Sequence, residues 1–113
     1  MNNTKSVYVA FGDKKIEQEF ELLKDGKFKD KQLYEFIDRA IKDLKNNPAC
    51  GIKLSKKLWP KVYIEKYSLT NLWKYDLPNA WRLIYTIKEN DITILNVILE
   101  WFSHKDYEKR FKY

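Results

Sequence analysis

The sequence predicts one α+β domain spanning residues 1–113, of β-α-α-β-β-β order, with two helices packed on one face of a largely antiparallel four-stranded sheet and a short C-terminal helical tail. Three observations predict it. Leu33, Phe36, Ile37, Ala40, Ile41 and Leu44 form an unbroken i, i+3, i+4, i+7, i+8, i+11 stripe, the pattern of a helix wide enough to cover a sheet. Between Asn71 and Phe102, three β-rich runs are parted by the turn signals Pro78-Asn79 and Glu89-Asn90-Asp91, which predicts an antiparallel meander. The 113 residues, 44% hydrophobic and 16% aromatic, suffice for one core but not two.

Taken in order, Val7-Tyr-Val-Ala-Phe11 is short, β-branched and aromatic, and Gly12-Asp13 ends this first strand. Asp13 then caps a helix to about Lys24, with Ile16, Phe20 and Leu23 at i, i+4 and i+7, and Asp25-Gly26 stops it. The second helix runs from Asp30 to about Lys45, and Asn46-Asn47-Pro48 terminates it. Its flanking Glu35, Asp38, Arg39 and Asp43 form a solvated face. Glu17, Glu19 and Glu21 do the same on the first helix, because helical residues two apart point in different directions and do not pair their carboxylates.

Cys50-Gly51 opens a connector. Lys53, Lys56, Lys57, Lys61 and Lys66 are interleaved there with Leu54, Leu58, Trp59, Val62, Tyr63, Ile64 and Tyr67, and only Glu65 opposes them. Pro60 suits the first position of a short helix that buries Tyr63, Ile64 and Tyr67. Two readings fit the lysines: stems lying along a half-buried segment, or a surface that tracks the phosphates of RNA.

In the meander, a first turn made of Pro78, Asn79 and Ala80 sets Leu77 opposite Trp81. The two-residue period then puts Trp73, Tyr75, Leu77, Trp81, Leu83, Tyr85 and Ile87 on one face, and Lys74, Asp76, Arg82 and Ile84 on the other. The first face is expected to be a core wall and its reverse a partly charged surface.

The net charge of +6 points to a polyanionic or acidic partner. No apolar run reaches the roughly 18 residues of a membrane helix. The start, Met-Asn-Asn-Thr-Lys, lacks the apolar segment of a secretory signal, so a cytoplasmic protein is expected. A lone Cys50 fits a reducing compartment and excludes an internal disulfide. One Cys and one His make a poor zinc set, so no metal is expected. Gly12, Gly26 and Gly51 are too scattered to cradle a nucleotide, and no nucleotide or other cofactor is expected.

The order of elements and two motifs resemble the RelE/ParE toxin superfamily of small basic proteins. Leu72-Trp73-Lys74-Tyr75-Asp76 followed by Trp81-Arg82-Leu83-Ile84-Tyr85 is similar to its basic strand, turn and aromatic-Arg-aliphatic-aliphatic-Tyr signature. Ser103-His104-Lys105-Asp106-Tyr107 is similar to its closing His/Arg-Lys-Asp-x-Tyr signature, with the tail spacing slipped by a residue. The resemblance implies a RelE-like fold and a toxin that cleaves mRNA, typically on the ribosome and without metal, and that an antitoxin neutralises. It places Arg82 at the phosphate, Lys74 as the first of two basic strand residues, His104 where relatives carry Arg or His, and Tyr107 near the tail tyrosine. Asp76 stands where the second basic residue is usual; directly across from Arg82 it would partly neutralise that cation and repel phosphate. Pro60 to Ser68 is longer than in compact relatives.

The chemistry of 2′-OH attack calls for a base, an acid and cations that stabilise the phosphorane. Imidazole titrates near neutrality, which suits His104 to either proton transfer. Arg82 offers a planar donor fork. Lys74 is suited to act as base once the nearby Arg82 charge favours its neutral form. Tyr107 can donate a hydrogen bond or stack on a base. Lys53, Lys56, Lys57, Lys61, Lys66 and Lys105 complete the expected RNA-binding set. Structural roles compete with these: Arg82 as a cross-strand ion pair with Asp76, and Tyr107 anchoring a C-terminal helix with Phe111. Three functions are therefore weighed, of which the first is the one expected and the others are alternatives. They are a RelE-like endoribonuclease acting on mRNA and the ribosome, a non-nuclease relative such as a ParE-like inhibitor of DNA gyrase or a catalytically impaired RNA- or protein-binding module, and a basic module docking an acidic protein.

Overall fold

Five strands, not four, form the sheet: β1 (Ser6–Phe11), β2 (Ile52–Lys53), β3 (Trp73–Asp76), β4 (Arg82–Glu89) and β5 (Thr93–Phe102), in the spatial order β1-β5-β4-β3-β2. The computed structural model describes residues 5–111. Residues 1–4, where no secretory signal is expected, and tail residues 112–113 lie outside the described residues. Among the described residues four helices accompany the sheet: α1 (Lys14–Leu23), α2 (Phe28–Asn46), α3 (Lys61–Tyr67) and α4 (His104–Phe111). β1 pairs with β5 in parallel and every other pairing is antiparallel. The unforeseen strand, β2, sets Ile52 opposite Lys74 and Lys53 opposite Trp73. Two residues are too few to show a two-residue period in sequence.

Asp13 caps α1 by accepting the Ile16 backbone N–H at 2.9 Å. The second helix starts at Phe28, earlier than Asp30, because Asp30 sits inside its first turn and its carboxylate accepts the Lys27 N–H at 3.2 Å. Leu33, Ile37, Ala40 and Leu44 are fully or nearly buried. With Ile16 and Phe20 they pack on Leu77, Leu83, Tyr85 and Ile98, and Trp73, Tyr75, Trp81 and Ile87 lie partly buried beside them. The expected core wall therefore forms. Its register is set at the turn, where the Leu77 N–H donates to the Trp81 carbonyl at 2.8 Å and Asp76 faces Arg82.

The reverse of the sheet differs from the expected charged surface. It carries a second apolar layer, in which Leu72, Ile84, Val97 and Leu99 lie beneath Leu54, Tyr63, Tyr107 and Phe111. Helices thus cover both faces, α1 and α2 on one and α3 and α4 on the other. The reason lies in β5, whose apolar residues face both ways, as a strand covered on both sides requires. A β-bulge between Ile84 and Tyr85 pairs Ile84 with Glu100 and Tyr85 with Ile98, so Leu99 is the extra residue. Within α3, Tyr63 is buried and Tyr67 half-buried, but Ile64 is exposed, contrary to expectation. Tyr63 and Tyr67, four apart, occupy the inner face of this short helix, and Ile64 is carried off it. No helix among the described residues is long and apolar enough to cross a membrane.

Candidate functional site

Lys74 and Asp76 are two apart on β3 and so share a face, and the β3–β4 register brings Arg82 opposite Asp76. Asp76 Oδ1 lies 3.1 Å from Lys74 Nζ and 3.1 Å from Arg82 Nε. Arg82 also donates from Nη1 to the Trp81 carbonyl at 3.3 Å. α4 begins after Ser103, whose carbonyl accepts the Tyr107 N–H at 2.8 Å and whose hydroxyl accepts the Asp106 N–H at 3.3 Å. One turn in, Tyr107 is buried, stacked on Phe111 at 4.5 Å between centroids. Its ring also receives both cations, Lys74 Nζ at 5.8 Å and Arg82 Cζ at 5.7 Å from the centroid.

The structure thus brings three of the four expected catalytic residues together, Lys74, Arg82 and Tyr107, with Asp76 between the cations. The Lys74 and Arg82 side chains keep 17% and 18% of their surface exposed, against 47% for Asp76. The carboxylate is the most exposed of the three groups, and the cluster carries one net positive charge, as the expected partial neutralisation of Arg82 by Asp76 implies. His104 is not joined to this cluster by any described contact. Its Nε2 lies 3.3 Å from Glu108 on its own helix, and the side chain is more than half exposed.

The remaining lysines divide. Lys53, Lys56, Lys57 and Lys61 are exposed along β2, the turn after it and the start of α3, and Lys105 is exposed on α4. Lys66 instead pairs with Asp13 at 2.6 Å, tying α3 to α1. This bond holds the Asp13 carboxyl below its ordinary range and the Lys66 ammonium above its own.

Sequence reasoning missed a second polar cluster on the same side of the sheet. Tyr63 donates its hydroxyl to Glu100 Oε1 at 2.5 Å, and Arg110 Nη1 stands 3.5 Å from the same oxygen. The Arg110 guanidinium lies over the rings of Tyr63 and Phe102, 5.7 and 5.4 Å from their centroids. Burial pushes the Tyr63 phenol far above its ordinary range, and the bond to Glu100 adds to the shift. The available signal was Glu100 itself, the single charge in the run Ile92–Phe102.

A family model described as ParE toxin of type II toxin-antitoxin system, parDE, matches residues 13–99. The matched span contains Lys74, Asp76 and Arg82 and stops before Glu100, His104 and Tyr107. No curated protein and no solved structure matches the chain.

Proposed function

The chain belongs to the ParE toxin family of type II toxin–antitoxin systems, and from that premise we propose that it is a non-nuclease toxin that arrests growth by binding a protein target, DNA gyrase in the ParE-like reading. Family membership also implies an antitoxin partner. The observation that carries the proposal is the Asp76 carboxylate between Lys74 and Arg82. Phosphoryl chemistry without metal relies on cations free to take up developing negative charge. Here both are already neutralised in part, and no described contact joins the His104 imidazole to them. A surface of this kind recognises and holds; it is poorly arranged to cleave.

One observation favours a second reading. Lys74 and Arg82 flank the ring of Tyr107, a grouping that suits a metal-independent endoribonuclease cutting mRNA at the ribosome once Asp76 releases them. In that reading Arg82 holds the phosphate, Lys74 or His104 moves protons, Tyr107 stacks or donates, and the exposed lysines track the RNA. Induced expression separates the two. The non-nuclease reading expects growth arrest with relaxed plasmid DNA and full-length transcripts, unaltered by His104→Ala. Cut transcripts with unchanged plasmid topology, abolished by His104→Ala, would select the nuclease.

A further inference from the structure

A groove of about 490 Å³ opens where the start of α3 meets the end of α4. Leu58, Trp59, Pro60, Val62 and Phe111 make it apolar, a volume and lining suited to one or two large side chains. The Trp59 indole N–H donates to the Leu54 carbonyl at 3.1 Å, so an occupant meets an aromatic surface already fixed in place. Val62 is 45% exposed at this surface. Lys57, Lys61 and Arg110 also line the groove, and among the described residues no carboxylate does. Arg110 shares its charge with Glu100, whereas among the described residues neither Lys57 nor Lys61 has an ion-pair partner.

We propose that this groove is a docking site for an acidic segment of the antitoxin, a large apolar side chain seated against Trp59 and Val62 and flanking carboxylates meeting Lys57 and Lys61. The charge fixes the chemistry of the occupant: an apolar floor beside unpaired cations selects an apolar anchor within an acidic chain. The antitoxin is the partner that family membership implies, and an extended acidic segment laid along the toxin neutralises a chain of net charge +6. The inference rests on membership of the toxin family and is independent of whether gyrase or RNA is the target.

The test titrates labelled antitoxin, purified from its complex with the full chain, against the toxin and its variants. Lys57→Glu together with Lys61→Glu should weaken binding at least tenfold and flatten its dependence on salt. Val62→Ser, an exposed position that leaves the charge unchanged, should weaken it severalfold. Lys29→Glu with Lys31→Glu, exposed on α2, should change it less than twofold. Groove variants within twofold of the parent, or an equal loss in the α2 variant, would overturn the proposal, the latter by showing that bulk charge alone governs binding. Because the readout is antitoxin affinity, failure here leaves the plasmid-topology and transcript readouts, which test the target, unaffected.

Discussion

Asp76 faces Arg82 directly across the β3–β4 ladder, its Oδ1 3.1 Å from Arg82 Nε, and the same oxygen holds Lys74. One carboxylate thereby occupies two cations that a nuclease would need free. Removing its charge should expose what it masks. Asp76→Asn is expected to tighten binding of a single-stranded RNA oligonucleotide and to steepen the slope of log affinity against log salt by about 0.7 to 1.4, as one or two phosphate contacts are gained. An unchanged slope would mean that these cations are covered by Tyr107 and α4 more than by Asp76.

Asn71 stands where β3 would begin, and its side chain copies a strand's backbone pairing. Its Nδ2 donates to the Ile87 carbonyl at 2.8 Å, and its Oδ1 accepts the Ile87 N–H at 2.8 Å. Thr86, itself buried, donates its hydroxyl to the Asn71 carbonyl at 2.7 Å. Asn71→Ala strips both Ile87 ladder partners and should cost about 1–3 kcal/mol in urea unfolding. A loss below about 0.5 kcal/mol would show that water replaces the amide without penalty.

Three phenols should resist ionisation. Burial, with a short bond to Asp43, pushes Tyr75 up to about 12. Burial likewise raises Tyr63 and Tyr85, and Tyr85 also donates to the Pro48 carbonyl at 2.8 Å. Each is held neutral in the folded chain, whereas the unfolded chain ionises near pH 10. The unfolded state then binds fewer protons, so stability is full below about pH 10 and falls as pH rises toward 12. Titration of tyrosinate absorbance should show a fraction of the 8 tyrosines ionising only together with loss of structure. A single reversible step near pH 10 for all of them would contradict the buried network.

The elements legible in the sequence are those whose signal is local. Asp13 as a cap, the Leu33-to-Leu44 stripe and the Leu77–Trp81 register each follow from spacing within one or two elements. The fifth strand was not legible, because Ile52 and Lys53 acquire their strand character only from β3. Nor was the second apolar layer, since Ile84 was expected beside Lys74 and Arg82, while the residues that cover it, Tyr63, Tyr107 and Phe111, come from distant segments. At the site, the Asp76–Arg82 pair follows from register alone. The Lys74 contact to the same carboxylate was open to the same two-residue period. The pairing of His104 with Glu108 depends on α4 starting at His104, a boundary that the tail motif does not fix.

We propose that this toxin acts by holding a protein target and not by cutting RNA. It is tested most directly with purified toxin in two parallel reactions, DNA supercoiling by gyrase and translation of a defined mRNA on ribosomes. On that proposal supercoiling should fall with toxin concentration while the mRNA stays full length. Undisturbed supercoiling beside mRNA fragments ending in 2′,3′-cyclic phosphate would contradict it.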